Sequence, residues 1–192
     1  MTNLFEGQAV SLAEMLAARE ERALIQQILL QDTTATLVSA TLAIPGPVKN
    51  SERFTHVFLT VQQQIDQALA DCWPKASMYQ SKVTGAAYYV LVPLAPQLVK
   101  KRMIQIEETH PYGRLVDLDV LWQQAGIMQT LHREELGYPK RRCLVCQEEA
   151  KLCARARVHS LAALQEAINQ RVMKEEVLRY DEANSFDGNG VT

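Results

Sequence analysis

The sequence predicts an α+β fold, in which a mainly antiparallel sheet carries its helices on one face. Segments with helical and strand periodicity follow one another as helix, strand, helix, strand, strand, helix, strand, strand, helix, helix. The second to the seventh of these elements form a split β-α-β-β-α-β core, which places both of its helices on the same side of the sheet. An N-terminal helix and a C-terminal helical pair flank this core. One predicted strand bears two carboxylates on a single side, so the other face of the sheet is expected to carry the functional site.

The composition is that of an ordinary globular protein. The 192 residues are 47% hydrophobic and carry a formal net charge of -2. They are expected to form one domain over residues 1–180, followed by a loose tail at 181–192. The small net charge argues against nucleic acid as a partner. No apolar run is long enough to cross a membrane and the N-terminus lacks the pattern of a signal peptide, so no membrane partner and a cytoplasmic location are expected.

The first helix begins at a capping box formed by Ser11 and Glu14, in which each side chain binds a backbone N–H group. Apolar residues at steps of three and four continue it to about Leu30. Arg22 interrupts this apolar stripe, and Arg19 lies beside it. A charged side chain on a buried stripe is costly unless it is paired. Two interpretations stay open: the arginine stem covers the core edge while its head reaches water, or the guanidinium pairs with a carboxylate or a ligand phosphate.

A strand over residues 36–44 leads through a rigid Pro-Gly-Pro turn directly into a second helix. Asn50 or Ser51 caps that helix, and its apolar stripe predicts a face buried against the sheet. Lys49 stands at the helix start, where backbone N–H groups favour an anion. Lys49 is therefore a candidate phosphate ligand, although a plain strand-to-helix connection with a surface lysine would have the same sequence.

Residues 78–83 and 87–92 are predicted to form a β-hairpin. A helix then begins at Pro96, which suits a first helical turn, and runs to about residue 107. Its polar side carries a basic cluster, for which a solvated face and a docking site for an acidic partner are both considered. The members of this cluster are Lys100, Lys101 and Arg102.

The next strand carries the strongest candidate site. Asp117 and Asp119 are two residues apart, so their side chains point to the same face. Their apolar neighbours point to the other face, which is expected to join the core. Paired carboxylates repel each other unless a hard cation such as Mg²⁺ lies between them. Two groups that suit phosphate, His110 and Arg114, precede the strand in its loop. The alternative is an edge strand with two solvated aspartates.

The last third of the chain contains three cysteines and a histidine, the ligand types that zinc prefers. They follow a short strand near residues 127–132 and a loop that ends in Arg141 and Arg142. These arginines either are solvated loop charges or bind a substrate or an acidic partner. The alternatives to zinc are small residues that help the last helices pack, a redox pair, and a catalytic Cys–His pair. The candidate ligands are Cys143, Cys146, Cys153 and His159.

Four separated motifs occur in a fixed order within residues 10–165. They are Val10-Ser11-Leu12 with Ala18-Arg19-Glu20-Glu21-Arg22, then Pro45-Gly46-Pro47-Val48-Lys49-x-Ser51, then His110-Pro111-x-Gly113-Arg114-Leu115-x-Asp117-Leu118-Asp119-Val120, and finally Arg141-Arg142-Cys143-Leu144-x-Cys146 with Cys153-Ala154-Arg155 and His159. Together they resemble the motifs of the apo-citrate lyase phosphoribosyl-dephospho-CoA transferases, also called holo-citrate lyase synthases. Such a set is far more specific than any one motif. The chain ends soon after the last motif, so a form fused to a second enzyme is not expected.

The resemblance implies a transferase of the nucleotidyltransferase type. Such enzymes take 2'-(5''-triphosphoribosyl)-3'-dephospho-CoA, attach its phosphoribosyl-dephospho-CoA part to a serine of the acyl carrier (gamma) subunit of apo-citrate lyase, and release pyrophosphate. Asp117 and Asp119 would hold Mg²⁺, and one of them or His110 would take the serine proton. The groups expected to bind phosphate oxygens or the substrate are Arg114, His110, Lys49, Arg19, Arg22, Arg141 and Arg142.

The sequence is also compatible with two alternative functions. One is a non-catalytic module that binds zinc and recognises a partner through its basic segments. The other is the analogous transferase that modifies the carrier protein of malonate decarboxylase, which would use the same chemistry on a different acceptor.

Overall fold

The computed structural model describes residues 4–31 and 33–186. Its elements follow the predicted order and confirm the α+β class. They are α1 (Leu12–Leu30), β1 (Thr36–Leu42), α2 (Glu52–Ala68), β2 (Ala76–Lys82), β3 (Gly85–Val92), α3 (Pro96–Thr109), β4 (Val116–Gln124), β5 (Ile127–Thr130), α4 (Ala150–Ala156) and α5 (Leu161–Phe186), with short 3₁₀ turns at Gly113–Leu115 and Arg133–Leu136. Among the described residues, no helix is long and apolar enough to cross a membrane.

The five strands form one antiparallel sheet in the order β2-β3-β1-β4-β5. β1 lies in the middle, with Ser39 opposite Asp119 and Thr41 opposite Asp117 on β4. β5 pairs only with the second half of β4, from Leu121 to Gln124. The first half of β4, which carries both aspartates, therefore has a free edge.

One face of the sheet is covered by α2 and α3, which bury the main core against it. Ser51 caps α2 by accepting from the Phe54 N–H at 3.2 Å, and Pro96 begins α3. All residues of the predicted α2 stripe are buried, because their spacing keeps them on one side of the helix. They are Phe54, Phe58, Val61, Ile65 and Leu69, and they join Val116, Leu118 and Val120 of β4 in the core.

The second face of the sheet is covered over only part of its area, by the C-terminal half of α1. Leu30 packs there with Leu37 and Leu121, and the Gln26 Nε2 donates to the Ser39 Oγ at 3.0 Å. The prediction of one apolar stripe along the whole helix is wrong at its start: Leu12 is 77% exposed. The reason is that the first turns of α1 extend beyond the packed area and form a wall beside the aspartates.

The C-terminal helix α5 packs against the main core. Ile168 and Val172 of α5 are buried in the main core. α5 continues to Phe186, so residues 181–186 of the predicted loose tail are helical. Residues 187–192 of that tail lie outside the described part of the chain.

Candidate functional site

A groove of about 1220 Å³ opens over the uncovered part of the sheet. Its floor contains Thr41, Asp117 and Asp119, and its walls come from the start of α1, the turn after β1, the segment before α4, and the start of α5. The antiparallel register sets Thr41 beside Asp117 on the floor. The groove therefore gathers residues from nearly the whole length of the chain around two carboxylates.

The two aspartates occupy the face that their spacing predicts. Val116, Leu118 and Val120, which alternate with them along β4, are buried on the opposite face. The Asp117 Oδ1 accepts a hydrogen bond from the Arg141 Nη1 at 2.6 Å. Enclosure by the groove walls raises the pKa of the Asp119 carboxyl, and repulsion from Asp117 raises it further. Nearby cations, of which Lys100 is the strongest, oppose this rise in pKa. A bound cation would therefore stabilise the two ionised carboxylates.

Two cationic side chains form hydrogen bonds with the free edge of β4, next to the aspartates. The Arg141 Nη2 donates to the Val116 carbonyl at 2.9 Å, and the Lys100 Nζ donates to the Leu118 carbonyl at 2.8 Å. An unpaired strand edge leaves backbone groups unsatisfied. Here the same side chains that satisfy these carbonyls also bring positive charge next to the carboxylates.

A buried charge network lies under this edge, and its burial was not predicted from the sequence. Glu107 is buried and lies 3.4 Å from Arg133 and 4.0 Å from Arg141. Burial raises the pKa of Glu107, and the cation at Arg141 is the first of several that oppose the rise. Burial also lowers the pKa of Lys100. Both Glu107 and Lys100 line the groove, so they belong to the site.

The expectation of a solvated basic face on α3 is wrong for Lys100, which is buried. α3 directs this residue toward the edge of β4, whereas Arg102 lies elsewhere and binds Asp71 at 2.6 Å. One pattern in the sequence could have indicated this arrangement. Lys100, Ile104 and Glu107 are spaced at i, i+4 and i+7, which places a lysine and a glutamate on the same helix face as a core residue.

Glu107→Gln should change the pH dependence of stability in a defined direction. Because the pKa of Glu107 is raised in the folded state, the folded protein binds its proton more tightly than the unfolded chain. Stability attributable to this group therefore falls as the pH rises through the raised pKa. Glutamine cannot ionise, so the Tm of the variant minus that of the wild type should increase from about pH 4 upward and then level off. Thermal melts across this range would measure it, and a difference that is flat or declining would contradict the assignment.

Four further predicted residues line the groove: Arg19, Arg22, Lys49 and Arg114. The Lys49 Nζ donates to the Ile44 carbonyl at 2.7 Å, and partial burial lowers the pKa of Lys49. Burial also lowers the pKa of Arg114, as do the cations of Arg141 and Arg171 near it. A set of crowded cations facing a cavity favours an anionic ligand.

Among the residues predicted to act on the substrate, two lie outside the lining of the groove. His110 ends α3, and its Nδ1 accepts from the Tyr112 N–H at 3.1 Å. Arg142 donates from its Nη1 to the Gln147 carbonyl at 2.8 Å, while its own carbonyl accepts from Arg114. Both residues therefore shape the segments next to the groove.

The three cysteines and the histidine of the last motif come together. Their ligand atoms all lie within 4.8 Å of one another, which could hold a metal ion. The Cys146 and Cys153 sulfurs are 3.6 Å apart, and the His159 Nε2 is 3.2 Å from the Cys146 Sγ. Burial opposes ionisation of Cys143, but the backbone N–H groups of Cys146 and Val145 outweigh it and lower the pKa of the Cys143 thiol.

Comparison with known proteins adds a second line of information. The family described as apo-citrate lyase phosphoribosyl-dephospho-CoA transferase matches residues 10–175. A protein of Streptococcus pyogenes serotype M18, named a probable apo-citrate lyase phosphoribosyl-dephospho-CoA transferase, is 42% identical over 86% of this chain and 87% of its own length. The transferase of that name from Escherichia coli is 32% identical over 85% of this chain and 89% of its own. Protein CitXG of Leuconostoc mesenteroides is 36% identical, but the match covers only 35% of that longer protein.

Proposed function

The chain belongs to the family of apo-citrate lyase phosphoribosyl-dephospho-CoA transferases, and from this premise we propose that the groove over Asp117 and Asp119 is its active site. The enzyme transfers the phosphoribosyl-dephospho-CoA group to apo-citrate lyase. The donor would be triphosphoribosyl-dephospho-CoA and the acceptor a serine of the acyl carrier subunit. One observation supports the assignment: two carboxylates lie side by side on the floor of a large groove whose walls carry arginine and lysine side chains.

The reaction is a substitution at the innermost phosphorus of the donor's triphosphate. The serine oxygen forms a bond to that phosphorus, the bond to the outer two phosphates breaks, and pyrophosphate leaves with the bonding electrons. The serine proton passes to a base. Arg22, Lys49 and Arg114, which line the groove, would bind the phosphate oxygens of the donor.

The donor set on the groove floor fits Mg²⁺. Two carboxylates on neighbouring positions of one strand face supply the oxygen ligands that a hard cation takes, and the repulsion that raises the pKa of Asp119 would be relieved there. Asp117 and Asp119 would hold the ion, which when bound supplies positive charge to the triphosphate. Arg141, now paired with Asp117, would turn from the carboxylate to a phosphate oxygen.

For the base, the two aspartates fit better than His110. A base must reach the proton that it takes, and His110 lies outside the groove lining. Both aspartates line the groove, so one of them takes this role in the proposal.

The metal of the cysteine cluster is proposed to be zinc. Three thiols and one imidazole match the four-coordinate sites that zinc occupies in structural roles, whereas Mg²⁺ prefers oxygen ligands. Cys143, Cys146, Cys153 and His159 would use all four positions, which leaves none for a substrate. The zinc would thus stabilise the fold around the site without taking part in the transfer.

The proposed function is tested by incubating the purified protein with Mg²⁺, triphosphoribosyl-dephospho-CoA and the apo form of the citrate lyase carrier subunit. We expect pyrophosphate release together with a mass increase of the carrier equal to phosphoribosyl-dephospho-CoA, located on one serine. A parallel reaction with the malonate decarboxylase carrier should be much slower. Equal or faster modification of that carrier would favour the alternative acceptor, and no modification of either carrier would contradict the proposal.

Arg22→Ala should weaken binding of the donor without slowing the reaction of the bound donor. Loss of one charge-assisted phosphate contact is expected to raise the KM for the donor by about tenfold to a hundredfold while kcat changes little. Arg155→Ala is the matched control, because Arg155 is exposed on α4 and lies outside the groove lining. Initial rates against donor concentration measure both. An equal rise in KM in the two variants would show that general charge, and not this contact, matters.

A further inference from the structure

The segment that carries the cysteine cluster has almost no hydrophobic core of its own. From residue 134 to residue 160, Cys153 is the only buried residue. Apolar burial is the usual source of stability for a chain segment, and segments without it rely on disulfides or metals. The exposed apolar residues here include Val145, Leu152 and Val158. Apart from Leu144, which packs against the main core, the segment therefore depends on hydrogen bonds, on the Lys140–Glu149 ion pair and on contacts within the cluster.

The backbone between the first two cysteines has a form suited to a metal. The Cys143 N–H donates to the Glu148 carbonyl at 2.7 Å, and the Ala150 N–H donates to the Arg141 carbonyl at 2.8 Å. These bonds form a small hairpin over residues 141–150. At its tip the Val145 N–H points to the Cys143 Sγ at 3.5 Å, and such N–H···S contacts favour the thiolate form that binds metals.

The same hairpin supplies the arginine that reaches the aspartates. Arg141 stands two residues before Cys143, and it bonds the Asp117 carboxylate and the Val116 carbonyl. Arg114 adds a second tie by donating to the Arg142 carbonyl. Arg141 also donates to the carbonyls of Gly113 at 3.3 Å and Arg114 at 3.5 Å in the loop before β4. The position of the Arg141 guanidinium is therefore coupled to the position of the metal ligands.

We propose that zinc bound to the Cys143, Cys146, Cys153 and His159 cluster positions Arg141 in the groove. Zinc binding by the cluster would then control phosphate binding at the aspartates. This inference rests on the proposed function, since it assigns Arg141 to the phosphates of the donor. Arg141 is the group that touches the ligand, and the cluster acts through it. Removal of zinc would release the hairpin from the edge of β4 and leave the groove without one wall.

The test uses the full chain and four variants: Cys146→Ser, Arg141→Ala, the double variant, and Cys72→Ser. Cys72 is a free cysteine outside the cluster and serves as the matched control. Zinc content is measured by elemental analysis, and pyrophosphate binding in the presence of Mg²⁺ by calorimetry. We expect one zinc per chain in the wild type, Arg141→Ala and Cys72→Ser. Cys146→Ser should lose the metal, and its pyrophosphate affinity should fall by about tenfold, as in Arg141→Ala.

The double variant decides whether the two effects have one cause. If zinc acts through Arg141, the double variant should bind pyrophosphate no more weakly than either single variant. Independent, multiplied losses would overturn the coupling. So would a wild type that contains no zinc, or a Cys146→Ser variant that loses zinc and keeps full pyrophosphate affinity.

Limited trypsin digestion gives a readout that does not depend on the transferase function. Lys140, Arg141 and Arg142 are cleavage sites in or beside the hairpin, and cleavage there should become fast in Cys146→Ser but stay slow in Cys72→Ser. If Cys146→Ser does not fold, removal of zinc from the wild type with a chelator, followed by zinc addition, should start and then stop the same cleavage. Zinc-dependent protection without any pyrophosphate binding would refute the proposed role of the groove, whereas pyrophosphate binding without zinc-dependent protection would refute the coupling.

Discussion

Asp117→Asn is expected to lower kcat by about a thousandfold or more while the fold is retained, because it removes one of the two charges that would hold Mg²⁺ over the triphosphate. The Asp117 side chain is exposed in the groove, where it forms an ion pair with Arg141. Its replacement by an isosteric amide should therefore leave the core intact. Pyrophosphate release in the carrier assay measures the loss, and a thermal melt checks the fold.

The control for Asp117→Asn is Asp71→Asn. Asp71 also pairs with an arginine at 2.6 Å, but this partner is Arg102 and the pair lies outside the groove. Loss of an exposed ion pair costs little stability, so Asp71→Asn should transfer at nearly the wild-type rate. Near wild-type transfer by Asp117→Asn would refute the metal-binding role of the aspartates. A similar loss in both variants would attribute the effect to loss of an aspartate–arginine pair in general.

Gly113→Ala is expected to destabilise the protein by about 3 kcal/mol, because a side chain there has no room. A Cβ at this position would lie 2.3 Å from the Ile106 carbonyl oxygen and 2.8 Å from that of Glu107. Both are backbone atoms of α3 and cannot move aside as a flexible side chain would. For a chain of this size the loss corresponds to a fall in Tm of roughly 10 °C, which a thermal melt would detect.

Gly126→Ala is the matched control for Gly113→Ala. Gly126 adopts a φ of +75°, yet a Cβ there would meet no atom within 4 Å. Its cost should be limited to the left-handed backbone, about 1 kcal/mol. An equal loss in the two variants would mean that close approach of the backbones is not the cause. Because the turn at Gly113 leads from α3 into β4, its disruption should also displace Asp117 and reduce transfer.

The local features of the fold followed from the sequence with few errors. The α2 stripe, the capping box at Ser11 and the alternation along β4 are all confirmed. Each depends on residues within a few positions of one another, where helix and strand geometry fix the spacing. The wrong prediction of a buried stripe at the start of α1 arises from tertiary packing, which is not local. Whether Leu12 is buried depends on how far the helix extends beyond the sheet, and the helical period carries no information about that.

The candidate site could be predicted only in part, for the same reason. The spacing of Asp117 and Asp119 predicted their common face, and the motifs identified Lys49, Arg22 and Arg114 as candidate phosphate ligands that do line the groove. The burial of Lys100 and Glu107 was not predicted, because a charged residue on a helix is ordinarily solvated. Their burial arises from the free edge of β4, which exists because β5 pairs with only half of that strand.

The amino-acid sequence alone predicts the order of the elements, the face on which the aspartates lie, and the family to which the chain belongs. These depend on local periodicity and on motifs that can be compared directly. Three contacts arise only in the folded chain: Arg141 reaches Asp117, Lys100 binds the edge of β4, and three cysteines meet His159. The physical reason is that side-chain interactions act over a few ångströms, and residues far apart in the chain reach that distance only when the sheet, α3 and the hairpin pack together.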